Sequence, residues 1–288
     1  MKSFLKVSAG IFLSFFILWA AAFLYLPMPG HIPVLMYHFL GSEQDAAQSK
    51  NVLSTKSFER QMNFLKNMGY RVISLDELYE IKNGLRKPRG REIAITFDDG
   101  NYTFETLAAP ILQKFQFPVA VFIISDNIRH KQHGSMTQEA IQRLMNYPWV
   151  TFGSHSQNHP FLTEVDKEKL QEEIMGSKEV LEEMFDVPFY YFSYPYGVFD
   201  LRSMDMVKQA GYRLAFTTSF KKLHGIKENP FALTRVKITR SSDNLFAYWF
   251  KTSGLYQGFK AFRSRFIKSQ EESDPIGQIE YGNVGDLV

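Results

Sequence analysis

The sequence has no cysteine among its 288 residues. This excludes a disulfide framework, a metal site built on thiolates and a lipidated cysteine. A strong net charge is also absent, because 33 basic against 30 acidic residues leave only +3 at pH 7. So small a charge gives no support for nucleic-acid binding. We find no fixed-period repeat and no low-complexity tract, so the composition is that of a globular chain rich in phenylalanine and tyrosine.

A long apolar run stands at the N-terminus. Val7 to Leu26 carries no charged side chain and is long enough to cross a bilayer, with Lys2 and Lys6 in front of it. We therefore expect residues 1–6 to be cytoplasmic, residues 7–26 to form a transmembrane anchor, and the rest to be extracytoplasmic. A cleaved signal peptide is the alternative, because Ala20 to Ala22 offers small residues after an apolar core. The protein would then be secreted.

Beyond this run the chain alternates between strand and helix patterns. Short runs rich in β-branched and aromatic residues predict strands at 32–38, 70–74, 93–97, 118–124, 149–153, 189–194 and 212–217. Apolar residues at helical spacing predict helices at 55–68, 75–81, 104–115, 137–145, 166–185 and 201–210. The alternation predicts an α/β fold with a mainly parallel sheet and helices on its faces.

No internal linker divides this alternating region, so we expect one catalytic domain over residues 32–250 after a short spacer at 27–31. Residues 251–288 form a basic and aromatic segment followed by a polar tail. The aromatic and basic residues that begin near Asn244 suit either contact with a membrane or anionic wall polymer, or ordinary packing of a last helix.

Two adjacent carboxylates end the central apolar strand pattern. Asp98 and Asp99 follow directly on Ile93 to Phe97 and precede Gly100. Neighbouring acids at a strand tip repel each other and lose hydration, so a fold keeps them where a cation or a proton-transfer task compensates. The sequence therefore predicts a reactive site here.

Two histidines supply the complementary groups. His155 and His159 lie four residues apart, a spacing that lets both rings face one point. His38 and the pair Tyr194 and Tyr196 also fall at the ends of predicted strands. Since active sites of parallel sheets and barrels lie at the carboxyl ends of the strands, we expect these side chains to meet.

The stretch Thr96-Phe-Asp98-Asp99-Gly100, with His155-Ser-Gln-Asn-His159-Pro further along, resembles the first two motifs of the polysaccharide deacetylases (NodB homology domain, carbohydrate esterase family four). The resemblance covers about 32–242 and implies a distorted (β/α) barrel of about seven units. It also implies that Asp99, His155 and His159 bind a divalent metal, usually zinc, and that Asp98 is the general base. Two histidines and a carboxylate suit Co²⁺, Ni²⁺ or Mn²⁺ as well.

The same resemblance suggests the remaining catalytic groups. It implies that the amide of Tyr196 stabilises the oxyanion. The subgroup of exported poly-N-acetylglucosamine deacetylases begins with a similar Leu-Met-Tyr-His strand, which makes His38 the expected general acid. The family's usual late histidine is missing from Leu233 to Ile238, and His224 is the alternative acid.

Two further positions depart from the family pattern. Ser193 stands where many members carry an arginine that orients the base. We hypothesise that Arg235 takes that role from a neighbouring strand end. The aspartate and tryptophan of the family's fourth motif are not evident after Tyr212.

Taken together, the sequence predicts a metal-dependent hydrolase in which metal-activated water removes N-acetyl groups from an extracellular N-acetylglucosamine polymer. Poly-N-acetylglucosamine is favoured; peptidoglycan, chitin oligomers and O-acetyl esters remain open. An alternative of another class is a catalytically silent glycan-binding protein. We expect a monomer whose partners are the N-acetylated polysaccharide and, through its N-terminal helix, the membrane, with no nucleic acid.

Overall fold

The computed structural model describes Ser14 and residues 32–219, 229–256 and 259–260. The predicted anchor, apart from Ser14, lies outside the described residues. So do His224 and most of the segment predicted at 251–288. Among the described residues, no helix combines the length and the apolar character that crossing a membrane requires.

The described chain alternates between short strands and helices. The strands are β1 (Val34–Tyr37), β2 (Phe39–Gly41), β3 (Val52–Ser54), β4 (Arg71–Val72), β5 (Glu92–Phe97), β6 (Val119–Ile123), β7 (Val150–Ser154), β8 (Tyr191–Ser193), β9 (Leu214–Thr217), β10 (Leu233–Thr234) and β11 (Val236–Lys237). The helices are α1 (Glu43–Gln48), α2 (Thr55–Asn67), α3 (Leu75–Lys82), α4 (Ala109–Phe115), α5 (Ser125–Arg129), α6 (Gln138–Met145), α7 (Lys167–Gln171), α8 (Ser177–Phe185), α9 (Leu201–Gln209) and α10 (Leu245–Thr252). Wider π-helical turns occur at Phe104–Ala108 and Glu172–Gly176, and 3₁₀ turns at Pro195–Gly197 and Arg240–Ser242.

One parallel sheet organises the domain, with the strand order β10-β9-β8-β7-β6-β5-β1-β11. β4 pairs with β5 beside this path, and β2 and β3 form a separate pair. The two end strands, β10 and β11, are separated in the chain by Arg235 alone. The sheet is therefore nearly closed into a barrel, which confirms the predicted α/β fold and its resemblance to a distorted (β/α) barrel.

The strands are buried on both faces. All residues of β5 and β6 are buried, and side chains that alternate along these strands belong to different apolar clusters. Ala94, Ala120 and Phe122 lie in one cluster with Phe216. The residues between them join a second cluster that includes side chains of the surrounding helices: Ile93, Ile95, Val121, Phe58 and Met62. Burial on both faces explains why the strands have nearly continuous apolar sequences.

Helix α2 illustrates how the outer layer forms. The Ser54 side chain caps its first turn by accepting a backbone hydrogen bond. Phe58, Met62 and Leu65 recur at helical spacing and are fully buried. Phe58 meets Phe97 of β5 edge to face, with 5.6 Å between ring centroids. The amphipathic face of the helix thus covers the sheet and leaves the strand ends to the loops.

Candidate active site

The carboxyl ends of the parallel strands bring the predicted site residues together. Asp98 and Asp99 follow β5, and His155 follows β7. His38 follows β1, which pairs with β5 in parallel. The backbone amide of Asp98 continues this pairing by donating to the carbonyl of Tyr37, at 3.0 Å. The site is therefore built at one rim of the barrel, as expected for this class of fold.

Three of these side chains form a compact donor cluster. The Nε2 atoms of His155 and His159 are 3.2 Å apart. Asp99 Oδ1 lies 3.5 Å from Nε2 of His155 and 3.8 Å from Nε2 of His159. Ligands that each stand about 2.0–2.2 Å from one zinc ion are separated from one another by roughly 3–4 Å. The spacing therefore suits a single divalent cation.

The protonation of the histidines also fits a metal site. Nδ1 of His155 lies 2.8 Å from the carbonyl oxygen of Ser193. Because a carbonyl oxygen only accepts, this nitrogen carries the proton and Nε2 presents its lone pair to the cluster. Burial lowers the pKa of His155. Burial, as the largest cause, lowers the pKa of His159 to about 4. Both rings are thus neutral near pH 7, the form that binds a metal.

Asp98 is buried next to this cluster in a two-pronged ion pair with Arg235. Nη1 of Arg235 donates to Oδ1 of Asp98 at 2.7 Å, and Nη2 donates to Oδ2 at 2.5 Å. The two prongs also donate to Thr96 Oγ1, at 3.1 Å, and to Ser193 Oγ, at 2.7 Å. The Ser193 hydroxyl is therefore a direct partner of the Arg235 guanidinium, beside the Asp98 carboxylate.

The carboxyl groups of Asp98 and Asp99 differ in their electrostatic surroundings. Burial alone would raise the pKa of Asp98, but the charge of Arg235 outweighs it and holds this pKa well below the usual range. Burial raises the pKa of Asp99, and the neighbouring charge of Asp98 adds to that effect while His38 opposes it. A bound cation would lower the pKa of Asp99 again, because it favours the ionised carboxylate.

His38 lies within the same electrostatic field. Burial lowers its pKa, whereas the charges of Asp98 and Asp99 act in the opposite direction. Lys237, at the end of β11, adds to the lowering. Because Tyr37 is the register partner of Phe97 across the parallel strands, the residues that follow them, His38 and Asp98, are neighbours at the same rim.

An aromatic pair borders the donor cluster. Tyr196 is 39% exposed, and its ring stacks on that of Phe161 with 4.0 Å between centroids. The rings of His159 and Tyr196 meet edge to face, with 4.5 Å between their centroids. By contrast, Phe192 and Tyr194 are fully buried. Tyr196 is therefore the member of this aromatic stretch that reaches the rim.

Strained backbone concentrates at this rim. Asp99 (φ 70°), Ser156 (φ 64°), His159 (φ 60°) and Tyr196 (φ 57°) all adopt left-handed conformations that side chains other than glycine rarely take. Such conformations persist where the surroundings fix them, and they are common at functional sites. Each turns the chain sharply beside a predicted site residue or at that residue itself.

Two side chains at this rim were not predicted from the sequence. Thr96 accepts from Arg235 and donates to the carbonyl of Leu35, at 2.8 Å. A polar residue within the apolar run of β5 was the available signal. Phe161, which stacks on Tyr196, had the weaker signal of lying two residues after His159.

Comparisons with known proteins agree with this geometry. A family model described as polysaccharide deacetylase matches residues 85–215. YxkH of Bacillus subtilis, named as a polysaccharide deacetylase, is 28% identical over 211 residues, which cover 73% of this chain and 72% of that protein. The poly-beta-1,6-N-acetyl-D-glucosamine N-deacetylase of Staphylococcus aureus is 24% identical over 227 residues, or 75% and 76% of the two chains.

A solved structure extends the comparison to three dimensions. The Streptococcus pyogenes deacetylase PplD, determined in complex with acetate, matches with a TM-score of 0.69 and 23% identity. The match covers 76% of this chain and 98% of that one. The barrel described above is therefore the fold of that deacetylase.

Proposed function

Because the chain belongs to the polysaccharide deacetylase family, we propose that it removes N-acetyl groups from an extracellular N-acetylglucosamine polymer with the help of a divalent metal ion, most favourably zinc. The observation that carries this proposal is the Asp99, His155 and His159 donor cluster beside an ionised, arginine-held Asp98. A binding site for glycan alone needs neither a metal-binding cluster nor a base next to it.

Asp99, His155 and His159 would hold the metal. When bound, the ion supplies Lewis acidity, which lowers the pKa of a water ligand and polarises the acetamide carbonyl. Three protein ligands of N and O type leave coordination positions open, as catalytic zinc sites require. The same donor set suits Co²⁺, Ni²⁺ or Mn²⁺.

Asp98 acts as the general base in this scheme. Arg235 keeps its carboxylate ionised and fixes its plane through two hydrogen bonds, so an acceptor oxygen is available at every turnover. Asp98 takes a proton from the attacking water as a carbon–oxygen bond forms at the acetyl carbon. The backbone amide of Tyr196 donates to the oxyanion that results.

His38 acts as the general acid. The carbon–nitrogen bond of the amide breaks only if the departing nitrogen gains a proton, and His38 at the end of β1 neighbours Asp98 at the same rim. The products are acetate and a free amine on the sugar, which is cationic near neutral pH.

The proposed substrate is poly-N-acetylglucosamine. A relative that covers three quarters of the chain is a poly-beta-1,6-N-acetyl-D-glucosamine N-deacetylase, and His38 follows a strand typical of that subgroup. The charge-free run Val7 to Leu26 supports an extracytoplasmic location, where such a polymer would be met. Peptidoglycan and chitin oligomers are the alternative substrates.

The test is acetate release from poly-N-acetylglucosamine oligomers by the full-length chain in mild detergent, with chelator and with added Zn²⁺. We expect release that stops with chelator and returns with zinc. Asp98→Asn keeps the shape of the base but cannot take the proton, so we expect its kcat to fall by about 10²–10⁴-fold. His38→Ala should lose a similar factor.

Parallel assays separate the alternatives. Peptidoglycan and chitin oligomers replace the polymer in the same assay, and His133→Ala, an exposed histidine that is not a member of the donor cluster, serves as the control that keeps full activity. Acetate released faster from peptidoglycan would change the proposed substrate. If the chain binds the oligomer but releases no acetate with any added metal, the proposed enzymatic function is wrong and the chain is a glycan-binding protein.

A further inference from the structure

A buried glutamate lies behind the metal-binding loop without belonging to the donor cluster. Glu173 has no exposed surface and sits in the π-helical turn Glu172–Gly176 that joins α7 to α8. A π turn within a longer helix is uncommon and is frequently found at functional sites. Burying a carboxylate costs free energy unless hydrogen bonds compensate, so the hydrogen-bond partners of Glu173 indicate its role.

Glu173 contacts Gln157 and Asn158, which lie between His155 and His159 in the chain. Glu173 Oε2 accepts from the backbone amides of Gln157, at 3.0 Å, and Asn158, at 2.8 Å. Oε1 accepts from the side-chain amide of Asn158 at 3.0 Å. Lys169 Nζ lies 3.1 Å from the same oxygen. Four donors fill the four acceptor positions of this carboxylate.

The loop that Glu173 contacts has an unfavourable backbone shape. Ser156 and His159 both lie in the left-handed region, which costs of order 1–3 kcal/mol each and persists only if the surroundings impose it. On the opposite side, the carbonyls of Ser156 and Gln157 accept from the amides of Ser125 and Asp126, at 3.2 and 3.1 Å. The loop is thus held between the start of α5 and the Glu173 carboxylate.

We propose that Glu173 is a positioning residue that fixes the loop between His155 and His159, and thereby sets the affinity and the geometry of the metal site. The inference rests on the metal-dependent function proposed above. Glu173 touches neither substrate nor metal in this scheme, and acts only through the backbone of Gln157 and Asn158.

Both oxygens of the Glu173 carboxylate are needed as acceptors. In Glu173→Gln one acceptor oxygen becomes an NH₂ group, so a donor faces either the two backbone amides or the donors at the other oxygen. In both orientations buried donors lose their partner. Partners that orient metal ligands in this indirect way typically contribute about 10–100-fold to metal affinity.

The experiment measures Zn²⁺ affinity of the full-length chain by competition with a chelating dye, and records the absorption spectrum of the Co²⁺-loaded protein. For Glu173→Gln we expect the zinc dissociation constant to rise about 10–100-fold. We also expect an altered Co²⁺ spectrum, which reports ligand geometry and which a change in overall stability alone would not move.

A matched control lies at the neighbouring position. Glu172 is half exposed and contacts the same loop only through the side chain of Gln157, at 3.1 Å. Glu172→Gln should therefore leave zinc affinity and the Co²⁺ spectrum as they are in the wild type. If Glu173→Gln does not fold, Asn158→Ala removes one of the four hydrogen bonds from an exposed position and should raise the dissociation constant by a smaller factor.

The outcomes distinguish this inference from the proposed function. Wild-type zinc affinity and an unchanged Co²⁺ spectrum in folded Glu173→Gln, or in Asn158→Ala where the first variant does not fold, would overturn the role of Glu173 and leave the deacetylase intact. A wild-type chain that neither binds zinc nor releases acetate would instead remove the metal-dependent function on which the inference rests.

Discussion

Arg235 and Asp98 form an ion pair almost without solvent. Their side chains are 1% and 3% exposed, and the Arg235 guanidinium lies beside the rings of Phe122 and Phe216, 5.4 and 5.9 Å from their centroids. Water cannot replace either partner in this apolar setting. Removing one partner therefore leaves the other as an uncompensated buried charge, which is more costly than losing the pair as a whole.

Arg235→Met should accordingly destabilise the protein by about 3–5 kcal/mol near neutral pH, because the Asp98 carboxylate stays buried without its partner. Asp98→Asn removes that charge, so we expect the double variant to be more stable than Arg235→Met alone. Urea unfolding in the presence of chelator measures both values without a contribution from metal.

Arg202→Met is the control for Arg235→Met. Arg202 pairs with Asp200 on the surface, where the two side chains are 51% and 31% exposed, so its loss should cost at most about 1 kcal/mol. Equal, small losses for Arg235→Met and Arg202→Met would contradict the view that the Asp98 pair is isolated from water.

At the scale of elements, long periodic segments agree closely between sequence and structure. The prediction of a helix at 166–185 corresponds to a continuous helical segment from Lys167 to Phe185, although nothing in the pattern indicated its π turn. Four strands of two or three residues each were not predicted from the sequence: β2, β3, β10 and β11. Such short strands show no period and form only because a neighbouring strand pairs with them.

Strand β7 has no room for a side chain just before the loop that carries His155 and His159. A Cβ on Gly153 would lie 2.6 Å from ring atoms of Phe122 and 2.8 Å from the carbonyl oxygen of Tyr191. Gly153→Ala should therefore cost about 1–3 kcal/mol through overpacking. Thermal and urea unfolding measure the loss, and zinc affinity shows whether His155 has moved.

Gly176→Ala is the matched substitution at a tolerant site. Its Cβ would meet the end of the Gln157 side chain at 3.2 Å, which can move aside, and Cγ of Glu172 at an ordinary contact distance of 3.8 Å. Alanine also favours a helix over glycine by about 1 kcal/mol. We expect unchanged or higher stability. A loss as large as that of Gly153→Ala would show that close packing is not the cause at Gly153.

At the scale of the whole molecule, one short stretch brings the two ends of the sheet together. β10 pairs with β9, and β11 pairs with β1. The backbone amide of Arg235, between them, donates to the carbonyl of Thr217 at 2.8 Å. The same stretch carries Arg235 to Asp98, 137 residues earlier in the chain. The same few residues therefore close the barrel and complete the site.

Metal binding should stabilise the whole domain, because the ligands come from two separate strand ends that approach each other only in the folded chain. Zinc at about 100 times its dissociation constant should add about 2.7 kcal/mol. In a domain of this size, that corresponds to a rise in Tm of about 5–10 °C. Differential scanning fluorimetry with zinc and with chelator measures the shift.

His159→Ala removes one ligand and should abolish most of this rise, whereas His133→Ala, in an exposed loop, should keep it. A zinc-dependent rise that survives in His159→Ala would place the stabilising ion somewhere other than the Asp99, His155 and His159 cluster.

The sequence by itself determined the alternation of strands and helices, the strand ends at which chemistry is expected, and the residues Asp98, Asp99, His155 and His159. These features are local: periodicity reports burial along one element, and a motif keeps its groups within a few residues. It also suggested Arg235 as a partner for Asp98, but only as a hypothesis from the missing arginine at Ser193.

Only the tertiary structure decided how these parts meet. The two-pronged contact of Arg235 with Asp98 depends on closure of the sheet. The support that Glu173 gives to the loop depends on the packing of a helix behind β7. Contacts between distant segments are selected by the free energy of the whole fold, in which shape, burial and hydrogen bonding must be satisfied together. No local pattern in the sequence records that choice.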